Sequence, residues 1–414
     1  ENIKMGIYEE LEWRGLLKDC SDPSLKEKLN KGGMTFYIGT DPTGDSLHVG
    51  HLLVYIFSKR LEKHGHHPIF LIGGATGFIG DPKPTAERQL LSAETIKKNA
   101  EKITAQVKKL FACKTVNNYD WTHQLDILTF LREYGKLFNV NYMINKDTVK
   151  SRLDSGISFT EFTYQILQAL DFEHLYKTEG CTLQVGGQDQ WGNITGGLEL
   201  IRKVHGFDAK AYGVTVPLFT KSDGTKFGKT EGGAIWLDPE KTSPYAFYQF
   251  WYNTPDADVI KELKQFTFFT KEEIEVLETS FNEAPHLRAA QKALAAEMTR
   301  MIHGEAALEQ AINLSQALFS GKVGSLTKEE IAMGFEGVPT QEIKEDINLI
   351  DALISVKAAS SKREARDFIN GGAVLVNGVQ IKDLEYVVSK ETAIGNEYTV
   401  IRRGKKNYYL IKHQ

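Results

Sequence analysis

The stretch YIGTDPTGDSLHVGHLL, residues 37–53, joins a strand-like run to a helix through a turn rich in Pro, Gly and Asp. Thr, Phe, Tyr and Ile at 35–38 favour a strand, and the apolar positions of 52–56 continue a helix that Asp45 or Ser46 can cap. In an open α/β sheet, such a strand-to-helix junction faces the crevice where nucleotides bind. The unpaired N–H groups and partial positive charge of the helix start suit phosphate.

Two imidazoles, His48 and His51, lie at this helix start on either side of Gly50. An i, i+3 pair shares one helix face, so the rings could bind a metal, donate hydrogen bonds to phosphate or simply lie on the surface. A metal needs a third protein ligand, and no Cys or Glu stands nearby at motif spacing. The pair alone leaves these alternatives open.

Length and composition indicate a soluble chain with several domains. The 414 residues exceed one ordinary core, and 41% hydrophobic with 25% charged residues is typical of globular proteins. No window approaches 18 uninterrupted apolar residues, and ENIKMGIYEELEWRG shows no signal-peptide pattern. The cysteines, Cys20, Cys113 and Cys181, are scattered and odd in number. We therefore expect a cytoplasmic protein with no membrane partner.

Charge is distributed unevenly along the chain. The net charge is −4, yet residues 346–414 hold eleven Lys/Arg and eight Asp/Glu, which leaves the remainder of the chain acidic. A mildly basic segment on an acidic body indicates a polyanion-binding module, although an excess of three charges is a modest signal.

Alternating apolar strand-like runs and amphipathic helical stretches fill residues 35 to about 230. This alternation predicts an α/β fold, a Rossmann-like doubly wound parallel sheet with helices on both faces. From about 240 the glycines thin out and segments such as HLRAAQKALAAEMTRMIHG are helical. The predicted boundaries are a Rossmann-like domain at 1–235, a helical domain at 236–320, a linker at 321–345 and a small α+β module at 346–414.

The segment TKSDGTKFGKTEGG, residues 220–233, packs three lysines among glycines. In isolation, a solvated surface loop is the common interpretation of such a segment. Its chemistry nevertheless complements the helix start, because Lys226 and Lys229 could reach a triphosphate while Thr230 donates a hydrogen bond. Ammonium groups on a mobile loop suit the charge that develops on a leaving pyrophosphate.

HVGH at 48–51 resembles the histidine signature of class I aminoacyl-tRNA synthetases, and KFGKT at 226–230 resembles their lysine-loop signature. The blocks YIGTDPTGDSLHVGHL, GGATGFIGDP, NNYDW, SFTEFTYQILQALDF, QVGGQDQWGNITGG and KTSPYAFYQFW together resemble the bacterial tyrosyl-tRNA synthetases. SKREARDFINGGAVLVNGVQI is similar to their C-terminal S4-like RNA-binding module. The resemblance covers nearly the whole chain and implies ATP-dependent tyrosine activation followed by transfer to tRNA(Tyr).

The resemblance implies a pocket for L-tyrosine. It places Tyr37 and Asp171 at the phenol, and a further group at the ammonium and the tyrosyl moiety: Asp81, Tyr164, Gln168 and Gln190. The i, i+4 spacing of Tyr164 and Gln168, with Asp171 three residues further on, puts all three on one helix face and supports a single pocket independently. Phenylalanine would leave Tyr37 and Asp171 unpaired in a desolvated slot, so no editing domain is expected.

The resemblance also implies how ATP binds. Its catalytic positions carry over to Thr43, His48, His51, Lys226, Lys229 and Thr230. Its ATP and ribose positions carry over to Gly39, Asp41, Gly50, Gly187, Asp189 and again Lys229. The tyrosine carboxylate would attack the α-phosphorus with no protein nucleophile, and Mg²⁺ is expected with ATP rather than in a dedicated protein metal site.

Three departures from relatives bear on the site. Ile38 and Gln188 stand where many relatives carry a cysteine and a serine. DPKPTAER, which ends at Arg88, is one residue shorter than in some relatives. Which of residues 83–88 faces pyrophosphate, Lys83 among them, is therefore open.

The basic C-terminal residues are the candidates for tRNA binding. They are Lys362, Arg363, Arg366, Arg402, Arg403, Lys405 and Lys406. A small basic module could instead be a dimer contact, although structured RNA is the family's expected ligand. GISFTEF around Phe159 resembles the family's dimer interface and implies a homodimer.

Two rival functions differ in the residues that they require. A tryptophan-specific synthetase or a small nucleotidyltransferase would share the fold, but Tyr37 with Asp171 favours a phenol over an indole. A non-catalytic RNA-binding descendant would be expected to lose the histidine or lysine signature, and both are intact.

Overall fold

The computed structural model describes residues 5–230 and 232–414. The chain divides into two compact units, one formed by residues up to 238 together with 254–294, the other by 239–253 together with 295–414. Within these described residues, no helix combines the length and the apolar character needed to cross a bilayer.

A five-stranded parallel sheet forms the centre of the first unit, in the order β3-β2-β1-β4-β5. Its strands are β1 (Thr35–Thr40), β2 (His67–Ile72), β3 (Lys114–Asn117), β4 (Cys181–Gly187) and β5 (Tyr212–Val216). Tyr37 pairs with Ile69 on one side and with Gln184 on the other, so β1 is central. The predicted doubly wound parallel sheet is confirmed, and its strand order reverses beside β1.

Helices connect these strands and continue beyond them. The helices that begin in the first unit are α1 (Ile7–Trp13), α2 (Leu25–Lys31), α3 (Val49–Lys63), α4 (Ala93–Phe111), α5 (Tyr119–Thr122), α6 (Ile127–Thr129), α7 (Val140–Ile144), α8 (Asp147–Lys150), α9 (Phe159–Phe162), α10 (Tyr164–Glu179), α11 (Trp191–His205), α13 (Asp256–Phe266), α14 (Lys271–Glu283) and α15 (Ala289–His303). Two short strands, β6 (Lys229–Thr230) and β7 (Gly233–Ala234), form a hairpin after β5. Ser92 caps α4 by accepting the N–H of Thr95.

The cap of α3 differs from the predicted one. His48, not Asp45 or Ser46, is the N-cap residue, and its side chain accepts the N–H of Gly50. Ser46 is buried and its hydroxyl donates to the carbonyl of Leu47 instead. The prediction was wrong because aspartate and serine are the commoner caps, whereas here the aromatic nitrogen of a histidine takes that position.

The helical region after 236 is divided between the two units, unlike the predicted domain 236–320. Two buried guanidinium groups explain why α13 belongs to the first unit. Arg14 donates to the carbonyl of Lys264 at 2.8 Å, and Arg60 donates to the carbonyls of Gln265 and Thr267. Charge-assisted hydrogen bonds of this kind fix the C-terminal end of α13.

The second unit combines helices with a five-stranded sheet in the order β11-β10-β13-β14-β8. Its helices are α12 (Pro244–Tyr252), the end of α15, α16 (Glu305–Ser320), α17 (Lys328–Gly334), α18 (Leu349–Ser355) and α19 (Lys362–Asn370). Its strands are β8 (Thr340–Ile343), β9 (Ile347–Asn348), β10 (Val374–Val376), β11 (Val379–Gln380), β12 (Val387–Val388), β13 (Tyr398–Arg403) and β14 (Asn407–His413). Residues 321–345, predicted as a linker, therefore carry α17 and the edge strand β8.

Candidate active site

A cavity of about 350 Å³ opens at the carboxyl ends of β1 and β4. Most of the predicted tyrosine and ATP residues line it: Tyr37, Gly39, Asp41, Thr43, Gly50, His51, Asp81, Tyr164, Gln168, Asp171, Gly187, Asp189 and Gln190. Ile38 also contributes to the wall. The cavity lies at the position in an open parallel sheet where ligands bind.

Two buried polar groups define one end of the cavity. Tyr37 is 1% exposed, and within the described chain its hydroxyl has no hydrogen-bond partner. Asp171, 2% exposed, accepts hydrogen bonds from Asn118 Nδ2 and Trp121 Nε1, each at 3.0 Å. Burial raises the pKa of Asp171 to about 7 against the lowering effect of these two donors. An unpaired buried hydroxyl is costly, so this end of the cavity suits a ligand with a hydroxyl of its own.

Asn118 and Trp121 were not predicted as site residues. Both belong to the NNYDW block, whose residues carried no predicted role. The available signal was Asp171 itself, because a buried carboxylate requires donors and an amide and an indole N–H are suitable ones.

A second carboxylate, Asp41, is held between two hydroxyl groups. Thr76 Oγ1 donates to Asp41 Oδ1 at 2.6 Å, and Tyr164 Oη donates to Asp41 Oδ2 at 2.7 Å. Burial raises the pKa of Asp41. Asp41, predicted at the ATP, therefore lies beside Tyr164, predicted at the ammonium group. On the same helix as Tyr164, Gln168 leaves its buried Oε1 without a partner in the described residues.

Asp81 is the third carboxylate of the cavity and is oriented by α11 and the turn before it. Gln190 Nε2 donates to Asp81 Oδ2 at 2.9 Å, and Asn193 Nδ2 lies 3.4 Å from Oδ1. Burial raises the pKa of Asp81 to about 6. The loop carbonyl of Asp81 accepts a hydrogen bond from Arg88 Nε at 2.6 Å. Asn193 was not predicted, although it lies in the QVGGQDQWGNITGG block.

The two signature histidines form a reciprocal capping arrangement at the start of α3. His48 Nδ1 accepts the N–H of Gly50 at 3.0 Å, and His51 Nδ1 accepts the N–H of His48 at 3.1 Å. A nitrogen that accepts cannot carry a proton, so both rings are neutral and carry their proton on Nε2. Burial lowers the pKa of both groups, that of His51 to about 3, and Lys229 and Lys226 lower that of His48 further.

Gly50 is needed because the ring of His48 folds over it. A Cβ at position 50 would lie 2.7 Å from His48 Cε1 and 2.9 Å from Nδ1, closer than real Cβ contacts. The glycine of the HVGH signature therefore allows the histidine cap to form. A side chain there would displace the imidazole from the helix end.

The lysine loop lies over the same helix start but outside the wall of the cavity. Lys226, Lys229 and Thr230 are exposed, and none of them lines the cavity. The loop is attached at Gly228, whose φ is +86° and whose carbonyl accepts the N–H of Ile235 at 3.1 Å. The carbonyl of Ile235 in turn accepts the N–H of Val49, the first residue of α3, at 2.9 Å.

Residues of α13 hold the other side of the lysine loop, which the sequence did not suggest. The ring of Phe227 lies 5.3 Å from that of Phe266 and 4.8 Å from that of Phe219, between ring centroids. The N–H of Ser222 donates to Asp258 Oδ1 at 3.0 Å. The loop is thus anchored on both sides while its lysine side chains stay in solvent.

Arg88 and Lys83 differ in their relation to the cavity. Arg88 lines it and, within residues 5–230 and 232–414, is the one Arg or Lys side chain that does so, whereas Lys83 is exposed and does not line it. Gln188, another departure from relatives, is exposed and accepts the N–H of Leu218 through Oε1 at 3.0 Å. Of residues 83–88, the geometry favours Arg88 as the contact to a bound anion.

The basic residues of the second unit fall into two groups. Lys362, Arg363 and Arg366 on α19 are exposed, as are Lys405 and Lys406 in the turn between β13 and β14. Arg402 and Arg403 are half-buried. The guanidinium of Arg403 lies 5.2 Å from the Phe368 ring centroid and donates to the carbonyl of Ala358 at 2.5 Å. Packing within the module thus accounts for the contacts of Arg403.

Among the described residues, 5–230 and 232–414, no cluster of three or more His, Cys, Asp or Glu side chains is arranged to hold a metal ion. His48 and His51 use their Nδ1 atoms on the backbone. The metal-ligand interpretation of this pair therefore gains no support from its geometry.

A parallel sheet with a histidine-capped helix and an attached lysine loop at its ligand-binding edge defines a class I aminoacyl-tRNA synthetase. Residues 29–320 match the family model described as tRNA synthetases class I (W and Y), and residues 330–411 match the tyrosine–tRNA ligase SYY-like C-terminal domain. The chain belongs to the bacterial-type tyrosyl-tRNA synthetases. It is an ATP-dependent tyrosine–tRNA ligase with tyrosine, ATP and tRNA as its substrates.

Two curated relatives illustrate the degree of similarity. The chain is 54% identical to tyrosine–tRNA ligase 2 of Bacillus cereus over 417 residues, which cover 99% of this chain and 100% of that protein. It is also 54% identical to the tyrosine–tRNA ligase of Listeria welshimeri over 419 residues, again 99% and 100%.

Solved structures agree at the level of the fold. A C-terminally truncated mitochondrial tyrosyl-tRNA synthetase of Aspergillus nidulans superposes with a TM-score of 0.69 at 34% identity, over 76% of this chain and 95% of that one. A tryptophanyl-tRNA synthetase of Encephalitozoon cuniculi reaches a TM-score of 0.55 at 13% identity, over 73% and 87%. That second likeness concerns the fold alone.

Proposed function

We propose that the cavity at the carboxyl ends of β1 and β4 is where tyrosine and ATP react. One observation carries this proposal. The buried hydroxyl of Tyr37, which has no hydrogen-bond partner among the described residues, lies beside Asp171 at one end of a cavity whose wall includes His51. A phenol hydroxyl can donate to the carboxylate of Asp171 and accept from Tyr37 at the same time. Phenylalanine would leave both groups unpaired, at a cost that opposes its binding.

The ammonium and carboxylate of tyrosine have distinct partners in this proposal. Asp81, Tyr164 and Gln168 surround the ammonium group. Oε1 of Gln168, which no described residue pairs, supplies one of the acceptors. Gln190 holds Asp81 and reaches the tyrosyl group from the other side. The carboxylate is then left directed towards Gly39, Gly50 and His51, where the α-phosphate of ATP would lie.

ATP binds across the helix start and the end of β4. Gly39, Gly187 and Asp189 lie at the nucleoside side, since they line the cavity at the ends of the two central strands. The neutral histidines donate from Nε2, and Thr43 donates from its hydroxyl, to phosphate oxygens. Lys226, Lys229 and Thr230 approach from the loop above, and Arg88 from the wall.

The chemistry requires no protein nucleophile. A carboxylate oxygen of tyrosine attacks the α-phosphorus, the bond to the bridging oxygen of pyrophosphate breaks, and tyrosyl-adenylate forms. Positive charge and N–H donors stabilise the charge that moves onto pyrophosphate. Mg²⁺ would be bound mainly by the phosphate oxygens of ATP, which are among its usual ligands, and would therefore arrive with the substrate. A terminal ribose hydroxyl of tRNA(Tyr) then takes the tyrosyl group, and AMP leaves.

ATP–pyrophosphate exchange with tyrosine, phenylalanine and tryptophan offered separately tests this assignment. Exchange with tyrosine alone supports the pairing of Tyr37 and Asp171 with the phenol. Comparable exchange with phenylalanine would show that the phenol is not recognised there. The test needs no tRNA, so it separates the activation site from the C-terminal module.

The pH dependence of activation should follow the two buried carboxylates. With a pKa of about 7 for Asp171 and about 6 for Asp81, both groups gain protons as the pH falls below neutral and lose their capacity to accept. We expect kcat/KM for tyrosine to fall progressively from about pH 8 to about pH 5.5, because kcat/KM reports ionisations of the free enzyme. His51 does not contribute, since burial lowers its pKa to about 3. A profile that stays flat over this range would contradict the carboxylate roles.

We propose that the C-terminal module binds tRNA through the exposed basic residues of α19 and the β13–β14 turn. Lys405→Ala combined with Lys406→Ala should raise KM for tRNA about tenfold and flatten its dependence on salt, because fewer counterions are released. Pyrophosphate exchange should not change. Lys344→Ala, an exposed lysine just after β8, is the matched control. Unaltered aminoacylation by the double variant would favour a non-RNA role for this turn.

We propose that the protein is a homodimer through the region around Phe159. Six large hydrophobic side chains of residues 127–159 each expose more than half of their surface, namely Ile127, Leu128, Leu131, Val140, Tyr142 and Phe159. Exposed apolar groups on this scale mark association surfaces. Sedimentation velocity should therefore give about twice the 46.5 kDa mass of one chain, and a monomer at micromolar concentration would contradict the proposal.

We place the enzyme in the cytoplasm. Cys20, Cys113 and Cys181 are free thiols, as expected for a reducing compartment. ATP and tRNA are both available there.

A further inference from the structure

A buried ion pair lies outside the residues assigned so far. Arg152 and Glu161 are each 1% exposed, and Arg152 Nη1 lies 2.9 Å from Glu161 Oε2. Removing two charges from water costs free energy that their attraction does not always recover. The further hydrogen bonds that Arg152 and Glu161 make therefore bear on the role of the pair.

The remaining hydrogen bonds of the two side chains hold the segment that precedes α4. Glu161 Oε1 accepts the backbone N–H of Arg88 at 2.7 Å. Arg152 Nη1 donates to the carbonyl of Lys83 at 2.9 Å, and Nη2 lies 3.4 Å from Glu87 Oε1. Three positions of residues 83–88 are thus tied to the ion pair.

This attachment sets where the Arg88 side chain can point. Its backbone N–H is held by Glu161, and its Nε donates to the carbonyl of Asp81 at 2.6 Å. A Cβ on Gly80 would lie 2.7 Å from Arg88 Cδ, so the stem of Arg88 lies against that glycine. Arg88 is thus constrained at its backbone, its stem and its Nε, and its side chain lines the cavity.

We propose that Glu161 and Arg152 are positioning residues for tyrosine activation, which hold the backbone of Arg88 so that its guanidinium faces the phosphates of ATP. This inference rests on the proposed function of the cavity, because it requires ATP phosphates there. Positioning of a charged group within a fraction of an ångström is worth a large factor in rate, and a displacement of about 1 Å can cost about 100-fold.

A double-mutant cycle tests the proposal. In Glu161→Gln, one amide oxygen faces two donors, the N–H of Arg88 and the guanidinium of Arg152, so one contact is lost. We expect the maximal rate of pyrophosphate exchange to fall about 10- to 100-fold. The Kd for tyrosine should change less than about twofold, because Arg88 contacts only the backbone carbonyl of Asp81, whose carboxylate is held separately by Gln190. When Arg88 is already replaced by alanine, adding Glu161→Gln should lower the maximal rate of pyrophosphate exchange by less than about twofold.

The outcomes are distinguishable. If Glu161→Gln lowers the rate by the same factor with and without Arg88, the ion pair acts independently of Arg88 and the proposal is overturned. If Arg88→Ala does not slow exchange with tyrosine, the placement of ATP phosphates at this wall fails, and the positioning role fails with it. Sedimentation velocity of each variant shows whether the proposed dimer is still formed. This control is needed because α9 carries both Glu161 and Phe159, and Phe159 lies in the proposed dimer interface.

Glu87→Gln provides a second route if Glu161→Gln does not fold. The side chain of Glu87 is 46% exposed, and its two oxygens accept from the N–H and hydroxyl of Ser158, each at 2.9 Å. Its replacement loosens the same segment at a solvent-accessible point. A several-fold loss of exchange rate that disappears in the Arg88→Ala background supports the proposal, and a loss that persists there overturns it.

Discussion

Replacing Asp171 with asparagine is expected to lower kcat/KM for tyrosine in pyrophosphate exchange by about 100-fold or more. The carboxylate is buried, and its two oxygens accept from Asn118 Nδ2 and Trp121 Nε1. Asparagine offers one acceptor oxygen where these two donors and the substrate phenol require acceptors. The variant loses a charge-assisted hydrogen bond to the phenol and leaves a buried donor unpaired, and both effects act against tyrosine.

Comparison with phenylalanine separates recognition from folding in this experiment. Phenylalanine makes no hydrogen bond to Asp171, so Asp171→Asn should lower kcat/KM for phenylalanine far less than kcat/KM for tyrosine. The preference of the enzyme for tyrosine over phenylalanine should therefore become smaller in the variant. Asp120→Asn is the matched control, because Asp120 is exposed on the same short helix as Trp121. Equal losses for tyrosine and phenylalanine would indicate that Asp171 maintains structure and does not select the substrate.

Replacing Lys229 with alanine is expected to slow tyrosyl-adenylate formation by about 100- to 1,000-fold, with the Kd for tyrosine altered less than about twofold. Lys229 is exposed on β6 and does not line the cavity, so it has no contact with the tyrosine pocket. Its hairpin is nevertheless attached to α3 through Gly228 and Ile235, and its charge lowers the pKa of His48. The ammonium group is thus near the helix start, where negative charge develops as pyrophosphate leaves.

Single-turnover kinetics with separately measured tyrosine binding provides the test. Lys109→Ala, which removes an exposed lysine in the last turn of α4, should leave both quantities unchanged. A parallel loss of tyrosine affinity and rate in Lys229→Ala would assign the lysine to ground-state binding. That result would remove the transition-state role proposed for the loop.

Much of the fold follows from patterns that are local in sequence. The alternation of strand-like and helical segments predicted the parallel sheet, and Ser92, a residue of the commonest cap type, caps α4. The histidine and lysine signatures indicated the ligand-binding edge of that sheet. Such features depend on neighbours within a few positions, which is the range over which periodicity and capping act.

The hydrogen-bond partners of the site residues lie far from them in the sequence. Tyr164 and Asp41 are separated by 123 positions in the chain, and Asn118 and Asp171 by 53. Neither pair leaves a local signal, so Asp41 was predicted at the ATP without its hydroxyl donors, and Asn118 and Trp121 were given no role. The two carboxylates could be recognised from the sequence as site residues, but the donors that hydrogen-bond to them could not.

By itself, the sequence determined the class of fold and the edge of the sheet where ligands bind, since these depend on local spacing. Its motifs also indicated most residues that line the cavity, through their resemblance to a known family. Only the tertiary structure decided that His48 caps α3, that α13 joins the first unit, that Arg88 faces the cavity and that Arg403 packs on Phe368. Each of these depends on which distant groups can satisfy a buried donor, acceptor or charge. That requirement is met only when the whole chain has packed.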